Sequence, residues 1–186
     1  MNQIIDDSAE IYCLGESPDI SDEDLERLYM TALHSTNNID SCTACYSLAQ
    51  QGEKSLTYLA QLLGSTIPRV AEYTIEALHS VVGEWGKPLE GAIRRYLISV
   101  NSEIRGMSIA ILTTIANDKG AYAIELCEMA SNTSDIQLIN LYVGMIGQIE
   151  PPPVVCIPQL LKLRRQYQND PELCEFIDSR LRWLKE

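Results

Sequence analysis

The chain has 186 residues, 26 acidic and 14 basic, for a formal net charge of −12 and a sequence pI of about 4.6. A polyanion of this strength is repelled by nucleic-acid phosphates and by anionic membrane surfaces, so neither is an expected partner. The hydrophobic share of 46% is ordinary for a folded domain and too high for a disordered acidic tail.

The N-terminus, Met-Asn-Gln-Ile-Ile-Asp-Asp, is acidic where a secretory signal is basic. No run reaches the ~18 apolar residues a membrane helix needs, the longest candidates being 109–116 and 136–149. A soluble, cytoplasmic protein is the expectation, with its six cysteines as free and mostly buried thiols. Ser21 and Asp24 imitate a capping box before Leu25, Leu28, Tyr29, Ala32 and Leu33. The stretch 68–83 opens on Pro68 and closes on Gly83, which suits a left-handed cap. Between them Val70, Thr74, Ile75, Leu78, Val81 and Val82 recur at three- and four-residue steps. Asn101, Ser134 and Asp170 likewise stand before apolar-periodic runs. The predicted helices are 21–34, 39–51, 54–64, 68–83, 87–99, 102–117, 119–131, 134–148, 155–168 and 171–185. Connections are short, so consecutive helices are expected to pack as antiparallel neighbours. The run Pro151-Pro152-Pro153 forces one extended break.

The array also repeats. Val70, Ile104 and Ile136 begin similar helices at intervals of 34 and 32 residues. Each of the first two is followed by a small residue four on (Thr74, Ser108), a leucine eight on (Leu78, Leu112) and a β-branched residue eleven on (Val81, Ile115). Leu173, Ile177, Leu181 and Leu184 keep this spacing, and Ile39 and Ile136 keep it in part. Small residues at the middle step let a partner helix approach, and a helix pair of this kind needs neighbours to bury its face. With Ile104-Arg105 and Ile157-Pro158-Gln159-Leu160-Leu161, this pattern resembles HEAT repeats, particularly the short kind named after phycobilisome lyases. The resemblance implies a right-handed α-solenoid of about ten helices in antiparallel pairs. It implies a single domain over 1–186, with an acidic segment and capping helix at 1–35, then about four helix pairs plus a terminal helix at 36–186.

No catalytic signature accompanies the array. Cys42-Thr-Ala-Cys45 has metal-like spacing, but no second CxxC or HxxxH completes a site, and buried free thiols are expected. His34 and His79 fall near helix C-termini, which a histidine complements. There is no GxSxG, HExxH or phosphate-binding glycine loop, so neither enzyme activity nor a cofactor or metal is expected. Nine tyrosines against one phenylalanine fall about once per helix and are expected to pack between helices with their hydroxyls at the edge. Tyr58 and Tyr122, on second helices that the resemblance places along a concave side, are the expected exposed ones.

The charge is concentrated at one end: residues 1–40 carry ten acids and only Arg27, a net of −9, against −3 for the rest. This end is either a solvated cap or a surface that steers a basic protein partner. On the second reading the binding residues are Asp22, Glu23, Asp24 and Glu26, joined by Tyr58, Glu90, Tyr122, Glu125 and Glu128. The most concrete form is an acidic immunity protein that inhibits a cationic bacterial toxin, such as a nuclease, by covering its active site with carboxylates. The family resemblance offers a lyase-like or chaperone-like module for a bilin-bearing protein as the alternative, or a general scaffold. The pairs Arg94-Arg95 and Arg164-Arg165 are too small against −12 to form a nucleic-acid groove.

Overall fold

The computed structural model describes residues 4, 5 and 7–185, and every regular element among them is helical. Asp6, one of the ten acids of residues 1–40, and the Met1–Gln3 part of the N-terminal signal reading lie outside the described residues. Among the described residues there are eleven α-helices: α1 (Ser8–Glu16), α2 (Asp22–His34), α3 (Asn38–Gln50), α4 (Leu56–Leu63), α5 (Pro68–Val81), α6 (Glu90–Ile93), α7 (Ser102–Ile115), α8 (Lys119–Ser131), α9 (Ile136–Ile146), α10 (Ile157–Gln166) and α11 (Pro171–Trp183). They form two compact units, Met1–Ile111 and Leu112–Glu186, with α7 running through the boundary.

Start signals are mostly side-chain caps. Ser21 Oγ accepts from the Asp24 N–H at 3.1 Å, and donates to Asp24 Oδ2 at 2.7 Å, so the acid meets the hydroxyl instead of the Ser21 N–H. Asp118 and Asp170 cap α8 and α11 the same way, accepting from Ala121 N–H at 2.8 Å and Leu173 N–H at 3.0 Å. For α9 the cap is Asp135, not Ser134. Histidines His34 and His79 do lie in the last turns of α2 and α5.

Three expectations need correction. The predicted helix 87–99 is broken: Pro88 lies inside a 3-10 helix (Glu84–Leu89), α6 lasts four residues, and a second 3-10 helix (Arg94–Ile98) follows. Gly83 is not a left-handed cap, since its φ is −125° and α5 ends on extended Val82; the glycine with positive φ is Gly52, at 59°. Helix α1 has no counterpart among the predicted helices, the first of which is 21–34. Asp7 caps it by accepting from Ala9 N–H at 2.9 Å, and it buries Ile11 and Gly15 against α3.

In the first unit α3 lies against α1, α2, α4 and α5, and α4 lies against α2, α5 and α6. Helix α3 can serve so many neighbours because its buried face is small: Ser41, Ala44, Cys45, Ser47 and Ala49 surround Leu48. Its hydroxyls are satisfied on neighbouring carbonyls, Ser41 on Ala32 at 2.6 Å and Ser47 on Ile11 at 3.0 Å. Just past its end, the Gln51 amide donates to the Leu14, Gly15 and Ser17 carbonyls at 3.4, 2.5 and 3.2 Å, closing the C-terminus of α1. In the second unit α8 packs on α9 and α10, and α11 packs on α9 and α10. The bidentate pair of Arg164 with Asp178, at 2.5 and 2.8 Å, joins α10 to α11.

The buried faces also correct the repeat. Ile39 and Ile136 are 66% and 45% exposed, so neither begins a buried stripe. Burial instead starts at Asp40, Val70, Ile104, Ile139 and Leu173, at intervals of 30, 34, 35 and 34 residues. The pattern 40, 41, 44, 45, 47, 48 in α3 recurs at 70, 71, 74, 75, 77, 78 in α5. The turns follow the same period. Hydroxyls of Ser35, Ser65, Ser99 and Thr133 each accept from the N–H two residues on, at 3.1 to 3.2 Å. Side chains one period later tie back to these turns or the helix ends beside them. Arg69 reaches the Ser35 carbonyl at 2.9 Å and Asn38 at 2.8 Å, Tyr96 the Leu63 carbonyl at 2.5 Å, and Tyr167 the Thr133 carbonyl at 3.0 Å.

Candidate functional site

The acidic end contains one surface that its neighbours do not neutralise. Arg27, the sole base of residues 1–40, is held by Glu10 of α1 at 2.7 Å and by Asp24 at 3.0 Å. Asp7 is spent on the α1 cap, Glu16 takes the Tyr12 hydroxyl at 2.6 Å, and Asp40 is buried under the Ser8 hydroxyl at 2.5 Å. What remains without an ion pair among the described residues is Asp19 in the approach to α2, then Asp22, Glu23 and Glu26 in its first turns. Asp22, Glu26 and Tyr29 stand at steps of four and three, so the geometry of the helix places them on one face.

Helix α4 completes that face. The Tyr58 ring lies 5.3 Å from the Tyr29 ring, tilted by 36°. Burial, then the negative charges of Glu26 and Asp22, push the Tyr58 phenol above its ordinary value, since a phenolate there would be both partly desolvated and repelled. Two tyrosines thus sit beside exposed carboxylates, a surface that offers apolar contact and negative charge together.

The other expected binding residues fare differently. Asp24 is committed to Ser21 and Arg27. Glu90 is bound to Arg94 at 3.0 Å, with its side chain only 15% exposed, so it is an internal partner and not a docking group. Tyr122 is 0% exposed; on α8 it falls on the stripe with Ala123, Leu126, Cys127 and Ala130 and belongs to the core, which corrects its expected place on a surface. Glu125 is half-buried and Glu128 exposed on the same helix of the second unit. Tyr29 was missed as a site residue, although its spacing from Asp22 and Glu26 carried the signal. The two arginine clusters are each partly neutralised, Arg94 by Glu90 and Arg164 by Asp178, and Asp178 is held below its ordinary value by its bond to Arg164.

Among the cysteines, Cys45 is buried with its thiol pushed up to about 12 by desolvation, and its sulfur lies 3.7 Å from the Thr74 hydroxyl oxygen. Cys42 is half-buried and also raised, first by burial. Both shifts oppose the thiolate that metal binding or nucleophilic chemistry requires. Cys13, by contrast, is exposed. Among the described residues no group of three His, Cys, Asp or Glu side chains has the geometry to hold a metal ion, and no helix is long and apolar enough to cross a membrane. Comparison with protein-family models, curated proteins and solved structures returned no match.

Proposed function

We propose that the chain is a HEAT-like right-handed α-solenoid without catalytic activity, whose α2–α4 face binds a basic protein. The observation that carries this reading is the convergence of Asp22 and Glu26 with the Tyr29–Tyr58 pair, with Glu23 exposed in the same turn, while Arg27 is withdrawn to Glu10 and Asp24 and Lys54 to the Pro18 carbonyl. Aromatic rings beside uncompensated charge supply the two things a specific electrostatic interface needs, an anchor and a steering field. The period of 30 to 35 residues in buried stripes, turns and ties supports the repeat architecture. In its most concrete form the partner is a cationic toxin, such as a nuclease, whose active site is covered by these carboxylates in place of phosphates.

The test is association kinetics with basic toxins encoded beside the gene, in the range of low to physiological salt. The triple reversal D22K/E23K/E26K is expected to slow association by roughly tenfold at low salt, with the difference shrinking as salt rises. Tyr58→Ala is expected to speed dissociation and leave association nearly unchanged. Equal association rates for the native chain and the triple variant would remove this face from the interface.

A further inference from the structure

The second unit holds a groove that the proposed α2–α4 face does not involve. It lies between α9 and α11, has a volume of about 470 Å³ and is lined by Ile136, Asn140, Asp170, Glu172, Leu173 and Phe176. That volume is within the range of small ligand sites. Its apolar wall is formed by Ile136, 45% exposed at the first position of α9, with Leu173 and Phe176 from α11. A Cβ placed on Gly144 would lie 3.8 Å from Phe176 Cζ, so the ring leans over α9 and bounds the groove along its length.

The polar part of the lining is negative. Asp170 is fixed by the Leu173 N–H, which donates to Oδ1 at 3.0 Å, and Oδ2 has no hydrogen bond among the described residues. Glu172, exposed in the first turn of α11, has no ion pair among them. Asp135, which caps α9 beside Ile136, adds a third carboxylate at this end. These outweigh the partial positive charges of the two helix N-termini, whose first N–H groups are already taken by Asp135 and Asp170. Arg180 stands close by, its guanidinium carbon 5.1 Å from the Phe176 ring centre, one helical turn further along α11. The ring therefore already carries one cation, which leaves the stem of a docked residue, not its charged head, to lie against Phe176.

From this juxtaposition we infer that the α9–α11 groove docks a lysine or arginine side chain from a partner segment, together with an apolar neighbour of that residue. Its methylene stem lies along Ile136, Leu173 and Phe176, and its charged head reaches Asp170 and Glu172. The occupant is basic because the groove contributes two carboxylates and no cation to its own lining. This is a second contact point, on different residues from the α2–α4 face, and it stands whether or not that face binds a toxin.

The experiment is a backbone amide NMR titration of the full chain with acetyl-Leu-Arg-Leu-amide, with the Leu-Ala-Leu and Leu-Glu-Leu analogues as controls. The arginine peptide is expected to shift Ile136, Asn140, Leu173 and Phe176 saturably, and more tightly than the alanine peptide. Glu172→Lys, an exposed change that leaves the core intact, is expected to weaken the arginine peptide by about fivefold. The variant D22K/E23K/E26K is expected to leave these shifts unchanged, which separates the groove from the α2–α4 face. Equal affinity for the arginine and alanine peptides, shifts spread over acidic surfaces at large, or no shift at the groove would each overturn the inference. So would concentration-dependent shifts at the groove without peptide, which would seat a second copy of the chain there.

Discussion

At the scale of single residues, Tyr58 shows how position decides what a side chain reports. Its hydroxyl is raised first by burial and then by Glu26 and Asp22, so those carboxylates penalise the phenolate and not the phenol. Neutralising them in D22N/E26Q is expected to lower the Tyr58 pKa, because only the charged form gains. Spectrophotometric titration against a Tyr58→Phe reference measures this, and an unchanged curve would separate the carboxylates from the ring. Thr74 and Ser108 illustrate the opposite case, polar groups made harmless. Both are buried at the small-residue step of their stripe, and each donates its hydroxyl to the carbonyl four residues back, at 2.7 Å. A helix can carry a hydroxyl at such a step because the residue supplies its own acceptor.

At the scale of elements, α1 depends on close approach. A methyl built on Gly15 would lie 2.5 Å from Ser47 Oγ, 2.7 Å from Ser47 Cβ and 2.8 Å from Gln50 Oε1, and Ser47 is buried in α3 with no room to retreat. Gly15→Ala is therefore expected to destabilise the chain by about 1–3 kcal/mol despite its better helix propensity, as urea denaturation would measure. The tyrosine ties give a milder prediction. Tyr96→Phe and Tyr167→Phe each leave a carbonyl without its phenol donor and are expected to cost about 1 kcal/mol apiece by the same measurement. Elements with an aspartate, asparagine or serine cap and an unbroken apolar stripe were legible in the sequence; 119–131 coincides with α8. Helix α1 was not, because its nine residues bury only Ile11 and Gly15, too few for a period, and its surroundings looked like an acidic tail. The stretch 87–99 failed for the converse reason. Its apolar spacing reads as helical, but Pro88 and Gly91 weaken the backbone pattern that the spacing presumes.

At the scale of the whole molecule, the net charge of −12 divides into acids that the fold uses and acids that it leaves to solvent. Counting by sequence located the excess in residues 1–40, which is where Asp22, Glu23 and Glu26 stand. It did not reveal that Asp24 and Asp40 are internal partners, because a composition window carries no information on which carboxylate meets Arg27 or a buried serine. Tyr122 shows the same limit, since one tyrosine per helix looks alike whether its ring faces core or solvent. The ties between turns have a further consequence, for synthesis. Each crosses little more than one period, and even Gln51 to the Leu14 carbonyl spans only 37 residues. A nascent chain therefore closes these bonds within a few dozen residues of synthesis, so α1 and α3 are expected to dock while the second unit is still being translated.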